Sequence, residues 1–227
     1  MSLYLSRLCL NPLFGPSLKL ASDPYDLHCA LLATVPCGPT PKPCVPEQPK
    51  TADLLFRVDV TDAGPVVLLQ TTVHPDWDAF ERAPRALTRE PETKLFDPEF
   101  SVGQTLGFRL FCKPSMRKAG DFGLKPSGKR NTGPRVTCRD DEERIEWLRR
   151  KGEISGFKVE TVGLTVFSIP SIKPHVLPRE PGGSFTSVRF DGVLVVTRPG
   201  DLRKAVCNGI GTQKAFGFGL LSLAPVA

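Results

Sequence analysis

The sequence predicts an α+β fold of two tandem units with the same order of elements. Its 227 residues are enough for one large domain or two small ones, each with its own core. Alternating apolar patterns typical of strands are interspersed with helical patterns. The order strand, helix, strand, strand, helix, strand is found twice, before and after Ser101. This βαββαβ order is the ferredoxin-like, or RRM-like, arrangement.

The first unit is predicted to span residues 1–98, and a helix is its most informative element. Asp23 is a favoured N-cap and the following proline is tolerated at the first helical position, so a helix is expected from Pro24 to about Thr34. Alternating leucines predict a strand over Leu3–Leu10 before it, and six prolines between residues 35 and 50 predict an extended loop after it. The remaining elements are two hairpin arms, a short helix and a brief strand, at Leu54–Val60, Val66–Val73, Pro75–Phe80 and Lys94–Phe96.

The second unit is predicted over residues 99–227. Its clearest helix is Asp140–Lys151, because acids cluster at its start and bases at its end, which suits the helix dipole. Ile145 and Leu148 are expected to be its buried pair, with Trp147 beside them. The other elements are strands at Gln104–Cys112, Phe157–Ile169, Ser184–Thr197 and Phe216–Leu223, and a helix at Pro199–Asn208.

The bulk composition permits some classes of protein and disfavours others. A net charge of +6, with 30 Lys+Arg against 24 Asp+Glu, permits an anionic partner such as nucleic acid. The seven cysteines include no C-x-x-C pair, so they are expected to be reduced thiols of a cytosolic protein rather than zinc ligands. No Asp, Glu and His cluster has metal-ligand spacing. Without a signal-peptide pattern or an apolar run of membrane-spanning length, a soluble, cytoplasmic protein is expected.

The stretch Gly209–Leu223 is the most distinctive motif in the chain. Two Gly-x-Gly pairs flank a single lysine, and an apolar run follows. Such a loop exposes consecutive N–H groups that bind an anion such as phosphate; the alternative is a turn leading into a core strand. Walker and dinucleotide loops are excluded, because neither Gly-Lys-Ser/Thr nor the third glycine occurs. The candidate anion-binding residues are Gly209, Gly211, Lys214, Gly217 and Gly219.

A basic segment at residues 113–139 has two interpretations. It is either a solvated loop or a surface that contacts phosphates, and its mostly one-signed charge and its glycines favour the second. The hairpin tip at residues 170–183 contributes two further basic candidates. Together the candidates are Lys113, Arg117, Lys118, Lys129 and Arg130 in the segment, and Lys173 and Arg179 in the tip.

Short motifs spread along nearly the whole chain resemble the CasE family, the CRISPR-associated endoribonucleases of type I-E systems. Each motif is weak alone, but their order and spacing make the match specific. They are Tyr4–Leu8, Leu10–Pro12, Asp23–His28, Leu55–Arg57, Pro75–Trp77, Phe108–Leu110, Lys129–Arg130, Trp147–Leu148, Phe190–Gly192 and the glycine-rich C-terminal stretch.

This resemblance implies a function and a site. It implies two ferredoxin-like domains and metal-independent cleavage of CRISPR precursor RNA within each repeat, at the base of its hairpin. It also implies that the product is retained and joins the other subunits of the Cascade complex, with no cofactor. By the family motif, Tyr25 and His28 carry the chemistry, while the glycine-rich loop and the basic segments hold the RNA.

The chemistry that Tyr25 and His28 offer suits such a reaction. RNA is cut without metal when its own 2′-hydroxyl attacks the phosphorus, which leaves a 2′,3′-cyclic phosphate and a 5′-hydroxyl. Histidine titrates near neutrality and serves as base or acid, and tyrosine donates a hydrogen bond or orients the hydroxyl. Spaced three apart, Tyr25 and His28 share one helical face. The alternative is that His28 is merely a surface or core histidine.

Other side chains are weaker candidates for catalysis. His74 before Pro75 is expected to be a turn residue, and His175 lies in the hairpin tip. Cys29 stands where similar proteins often place a base, so Lys19 or a residue of the basic segment would have to substitute for it.

Two other functions are left open by the sequence. A non-catalytic RNA-hairpin-binding subunit of the same fold is the main alternative. A nucleotide-phosphate enzyme built on the glycine-rich stretch is disfavoured, since the Walker and dinucleotide patterns are absent.

Overall fold

The computed structural model describes residues 3–35, 54–80, 83–117, 133–172 and 185–226. The predicted proline-rich loop after residue 35 and most of the hairpin tip, with His175, lie outside these ranges. Five of the basic candidates also lie outside the described residues: Lys118, Lys129, Arg130, Lys173 and Arg179.

The N-terminal unit contains a four-stranded antiparallel sheet. Its strands are β1 (Leu3–Cys9), β2 (Leu54–Thr61), β3 (Gly64–Thr71) and β4 (Glu92–Phe96). They lie side by side in the order β2-β3-β1-β4, and every neighbouring pair is antiparallel. The first and third strands are therefore central, as a βαββαβ unit requires, and the predicted topology is confirmed.

The described residues of this unit form three helices beside the sheet: α1 (Gly15–Ser22), α2 (Pro24–Leu32) and the short α3 (Ala83–Ala86). Helix α2 begins where predicted, because the Asp23 carboxylate accepts hydrogen bonds from the N–H groups of Tyr25 and Asp26 at 3.0 and 3.2 Å. Helix α1 was not predicted. Its N-cap, Phe14, has no capping side-chain hydrogen bond, so the usual sequence signal for a helix start is missing. The short helix predicted at residues 75–80 is a 3-10 turn at Trp77–Ala79.

The C-terminal unit repeats this topology with one modification. Its elements are β5 (Thr105–Cys112), β6 (Ser115–Arg117), β7 (Arg135–Thr137), α4 (Asp141–Ile154), β8 (Phe157–Val159), β9 (Thr165–Ile172), β10 (Phe185–Val196), α5 (Pro199–Asn208) and β11 (Leu221–Pro225). The strands lie in the order β11-β5-β10, and both β8 and β9 pair with β10 along different parts of its length. The strand predicted over Phe157–Ile169 is thus divided in two by a turn that contains Gly163, whose φ is +76°.

Three other details of the second unit differ from prediction. The basic segment is not entirely loop, because β6 and β7 pair as a small hairpin at its two ends. The last strand begins at Leu221 rather than Phe216. In α4, Trp147 and Leu148 are the buried pair and Ile145 is only half-buried. The two predicted core positions of α5, Leu202 and Val206, are fully buried.

Each unit has its own hydrophobic core, and the two units are in contact. One core includes Leu27 and Phe56, and the other includes Phe108 and Phe190. Leu3 of β1 belongs to the second core, and the Gln70 side-chain amide in β3 donates to the Val206 carbonyl of α5 at 2.9 Å. The domain boundary at residues 98–99 remains a prediction. Among the described residues, no helix is long and apolar enough to cross a membrane.

Candidate active site

Helix α2 presents Tyr25 at the protein surface. The ring is partly exposed, and its hydroxyl lies beside the exposed thiol of Cys29, one helical turn further along. Coulombic interaction and hydrogen bonding with Cys29, followed by burial and the charge of Asp26, raise the pKa of Tyr25 above its ordinary value of 10.0. Tyr25 therefore stays protonated at neutral pH and remains a hydrogen-bond donor.

His28, on the same helix, is more enclosed than Tyr25. Its imidazole lies nearly parallel to the ring of Phe56, with 6.2 Å between ring centroids and 22° between planes. Its Nδ1 atom is buried and has no hydrogen-bond partner among the described residues. Burial lowers the pKa of His28 below its ordinary value of 6.5. His28 is therefore neutral near pH 7 and able to accept a proton.

The glycine-rich stretch lies directly against this region. The turn Lys214–Phe216 contacts α2, so the structure brings together the two site regions that the sequence predicted in separate units. A Cβ atom added at Gly217 would lie 3.2 Å from Cε2 of Phe56, and one added at Gly209 would lie 2.9 Å from Cδ1 of Leu55. Glycine at these positions allows the loop to pack closely on β2.

The backbone of this stretch has the conformation expected of glycine, but several of its polar groups are used inside the protein. All four predicted glycines have positive φ, between +70° and +95°. The N–H of Ile210 donates to the carbonyl of Gly219 at 2.9 Å, and the N–H of Gly219 donates to the carbonyl of Phe111 at 2.7 Å. These two N–H groups help to build the loop, so they are not directed at an anion.

Lys214 also has a structural contact. Its Nζ donates to the carbonyl of Asn208, at the C-terminal end of α5, where a positive charge complements the helix dipole. Burial, followed by the charge of Lys151, lowers the pKa of Lys214. The RNA-binding roles predicted for Lys214 and the four glycines remain predictions.

Two of the predicted basic residues lie at the base of the β6–β7 hairpin. Lys113 is half-buried just after β5, and Arg117 is exposed on β6 and donates to the carbonyl of Gly133 at 3.3 Å. Both belong to the C-terminal unit, whereas the two catalytic candidates lie on α2 of the N-terminal unit. The role of Lys113 and Arg117 in RNA binding also remains a prediction.

A charged network between the two units was missed by the sequence analysis. Arg57, only 3% exposed, donates to the Asp59 carboxylate through Nε and Nη2 at 2.9–3.0 Å, and through Nη1 to the Ser222 hydroxyl at 2.8 Å. Arg109 lies 3.7 Å from Asp59 and donates to Asp191 at 2.7 Å. Three of the family motifs, Leu55–Arg57, Phe108–Leu110 and Phe190–Gly192, therefore supply charged members of one cluster. The Arg and Asp residues within these motifs were the sequence signal from which this cluster could have been predicted.

The weaker candidates have contacts of other kinds. His74 follows β3, with Nδ1 2.9 Å from the carbonyl oxygen of Pro75 and its ring edge-on to Tyr4, which agrees with a turn residue. Lys19 is exposed on α1 and lines a cavity of about 600 Å³ that Asp26 of α2 also lines. Within the described ranges, no three His, Cys, Asp or Glu side chains are grouped so as to hold a metal ion.

Known proteins resemble this chain over most of its length. A family profile described as CRISPR associated protein matches residues 3–225. The CRISPR-associated endoribonuclease Cse3 of Thermus thermophilus is 30% identical over 98% of this chain and 100% of its own length. The CRISPR system Cascade subunit CasE of Escherichia coli is 33% identical over 90% of this chain and 93% of its own.

Solved structures give the same result. Thermus thermophilus Cse3 bound to an RNA representing a pre-cleavage complex superposes with a TM-score of 0.73, at 27% identity over 99% of this chain and 100% of that one. Cas6e of Escherichia coli gives a TM-score of 0.64, at 27% identity over 100% of both chains. The resemblance identified from the sequence motifs is confirmed, and the chain belongs to the CRISPR-associated protein family.

Proposed function

We propose that this protein is a metal-independent endoribonuclease that cleaves CRISPR precursor RNA within each repeat, at the base of the repeat hairpin. The observation that carries the proposal is the placement of a half-buried, neutral His28 beside a protonated Tyr25 on the first turns of α2. The name of the Thermus relative, a CRISPR-associated endoribonuclease, supports the same activity.

The two side chains supply complementary steps of a transesterification. His28, neutral at pH 7, accepts the proton of the 2′-hydroxyl while the 2′-oxygen attacks the phosphorus. The bond from phosphorus to the 5′-oxygen breaks, and that oxygen takes up a proton from solvent water as it leaves, while His28 afterwards releases its proton to solvent. Tyr25 donates a hydrogen bond to the phosphate and orients it. The products are a 2′,3′-cyclic phosphate and a 5′-hydroxyl.

After cleavage, the protein retains the hairpin product as a subunit of a Cascade complex in the cytoplasm. The Escherichia coli relative is named a Cascade subunit, which supports this assignment. The net charge of +6 favours retention, because Lys and Arg contacts to phosphates supply affinity that does not depend on sequence.

The decisive experiment is incubation of the purified protein with a hairpin repeat RNA in excess EDTA. We expect one cut at the hairpin base, with a 2′,3′-cyclic phosphate end identified by mass spectrometry. A matched RNA with a single 2′-deoxy nucleotide at the cut site should bind equally well and stay intact. If every hairpin repeat binds tightly and none is cut, the protein is the non-catalytic hairpin-binding subunit instead.

A further inference from the structure

Phe56 lies at the junction between the candidate active site and the glycine-rich stretch. Its ring is fully buried in β2. It lies nearly parallel to the His28 imidazole on α2 and in close contact with Gly217 of the other unit. A side chain at Gly217 would begin 3.2 Å from the Phe56 ring, and the Gly217 backbone has a φ of +80° that other residues rarely adopt.

We propose that Phe56 and Gly217 are positioning residues for His28: the Gly217 backbone fixes the Phe56 ring, and that ring fixes the plane of the imidazole. In this arrangement the glycine-rich stretch acts on the proton-transfer group from the opposite unit. The effect on cleavage rests on the proposed function, whereas the effect on the His28 ring does not.

The proposal rests on ring packing, because the contact that orients His28 in the structure is the packing of its imidazole against the Phe56 ring. A histidine used in proton transfer is commonly oriented by a hydrogen bond from its second ring nitrogen. Here Nδ1 of His28 has no such partner among the described residues, and the near-parallel contact with Phe56 constrains the ring plane. Parallel, offset aromatic pairs with centroids 4.5–7 Å apart are favourable beyond the burial of their surface.

The glycine-rich stretch is fixed by hydrogen bonds within the protein, so it supports the contact between Phe56 and His28. Its N–H groups at Ile210 and Gly219 and the Lys214 ammonium group are bonded within the protein. Gly209 packs on Leu55, the neighbour of Phe56. The loop therefore contacts β2 at two successive residues, which restricts movement of the strand that carries Phe56.

The chain offers a closely matched control for the test. Gly103 has a φ of +81°, almost the same as Gly217, but a Cβ added there would meet no atom within 4 Å. Gly103→Ala and Gly217→Ala therefore both place a side chain at a positive φ of about the same value, and Gly217→Ala alone brings a Cβ atom close to Phe56. Phe56→Leu is the second test variant, since it removes the aromatic ring while keeping an apolar side chain.

Three quantities distinguish positioning from general destabilisation. For Gly217→Ala and Phe56→Leu we expect the single-turnover cleavage rate at saturating protein to fall on the order of 10- to 100-fold, as a misplaced reacting group requires. In Phe56→Leu, affinity for the 2′-deoxy hairpin should be unchanged. The ring-proton NMR signals of His28 in the RNA-free protein should shift in both variants and stay in place in Gly103→Ala.

The proposal is overturned if Gly217→Ala cleaves as fast as Gly103→Ala and leaves the His28 signals in place. If Phe56→Leu fails to fold, Gly217→Ala decides alone. If the wild-type protein cuts no hairpin repeat, the proposed function fails, but the NMR comparison still tests the positioning of His28.

Discussion

Helices α2 and α4 occupy equivalent places in their units, each lying in the chain between the first and second strands of its main sheet (β1 and β2, β5 and β8), yet their polar side chains are arranged differently. In α4 two arginines form ion pairs along the helix: Nη1 of Arg144 lies 2.7 Å from Asp141 and Nε of Arg150 lies 3.8 Å from Glu146. In α2, Nδ1 of His28 is buried with no partner among the described residues. The comparison teaches that a partly buried side chain that titrates near neutrality, rather than charge on the helix surface, distinguishes the helix suited to proton transfer.

The strongest test of this comparison is to remove one polar side chain from each helix. His28→Ala should slow hairpin cleavage on the order of 10²- to 10⁴-fold, because a general base is lost. Affinity for the 2′-deoxy hairpin should hardly change. Arg150→Ala on α4 is the matched control, and its rate at saturating protein should equal that of the wild type. Equal loss of rate in both variants would mean that the two helices do not differ in role.

A second contrast concerns the charges between the units and those on the surface of α4. Arg57→Ala should destabilise the protein by about 3–5 kcal/mol, because it leaves the partly buried Asp59 carboxylate without its main partner and the Ser222 hydroxyl without its donor. The matched surface change, Arg150→Ala, should cost about 1 kcal/mol or less, since its ion pair with Glu146 is exposed. Denaturant unfolding followed by circular dichroism measures both values. Equal costs would show that Arg57 does not stabilise the contact between the units.

The two helix N-caps provide a subtler comparison. Asp23 accepts hydrogen bonds from two backbone N–H groups of the first turn and Asp140 accepts one, so either change to alanine should cost about 1 kcal/mol of stability. Only the first turn of α2 carries Tyr25. Asp23→Ala should therefore also slow cleavage at saturating protein, whereas Asp140→Ala should not. Identical cleavage rates in the two variants would mean that Tyr25 takes no part in cleavage.

Local signals explain why much of the fold was predictable. The Asp23–Pro24 pair predicts the start of α2, and the turn around Gly64 predicts the hairpin of β2 and β3, because in each case neighbouring residues determine the backbone. Helix α1 lacks a side-chain cap and was missed. The division between β8 and β9 was missed as well, because one glycine, Gly163, within an apolar stretch gives little indication of a turn.

The candidate site was only partly predictable, because its contacts join distant parts of the chain. Tyr25 and His28 were identified through their family motif and their spacing on one helix. The contacts of Phe56 with His28 and Gly217 depend on how the two units meet, which no periodicity in the sequence records. The predicted start of the last strand, Phe216, was also wrong. The positive φ angles of Gly217 and Gly219 keep the chain out of β11 until Leu221.

The smallest effect expected is a change in the titration of His28. Burial lowers its pKa below 6.5, so the folded protein binds fewer protons than the unfolded chain as the pH falls towards and below that value. The free energy of unfolding should therefore decrease with falling pH through this range, and the acid limb of the cleavage rate should lie below pH 6.5. NMR titration of the RNA-free protein, with His28→Ala to assign the signal, measures the midpoint directly. A His28 midpoint at or above 6.5 would contradict the enclosed position that separates α2 from α4.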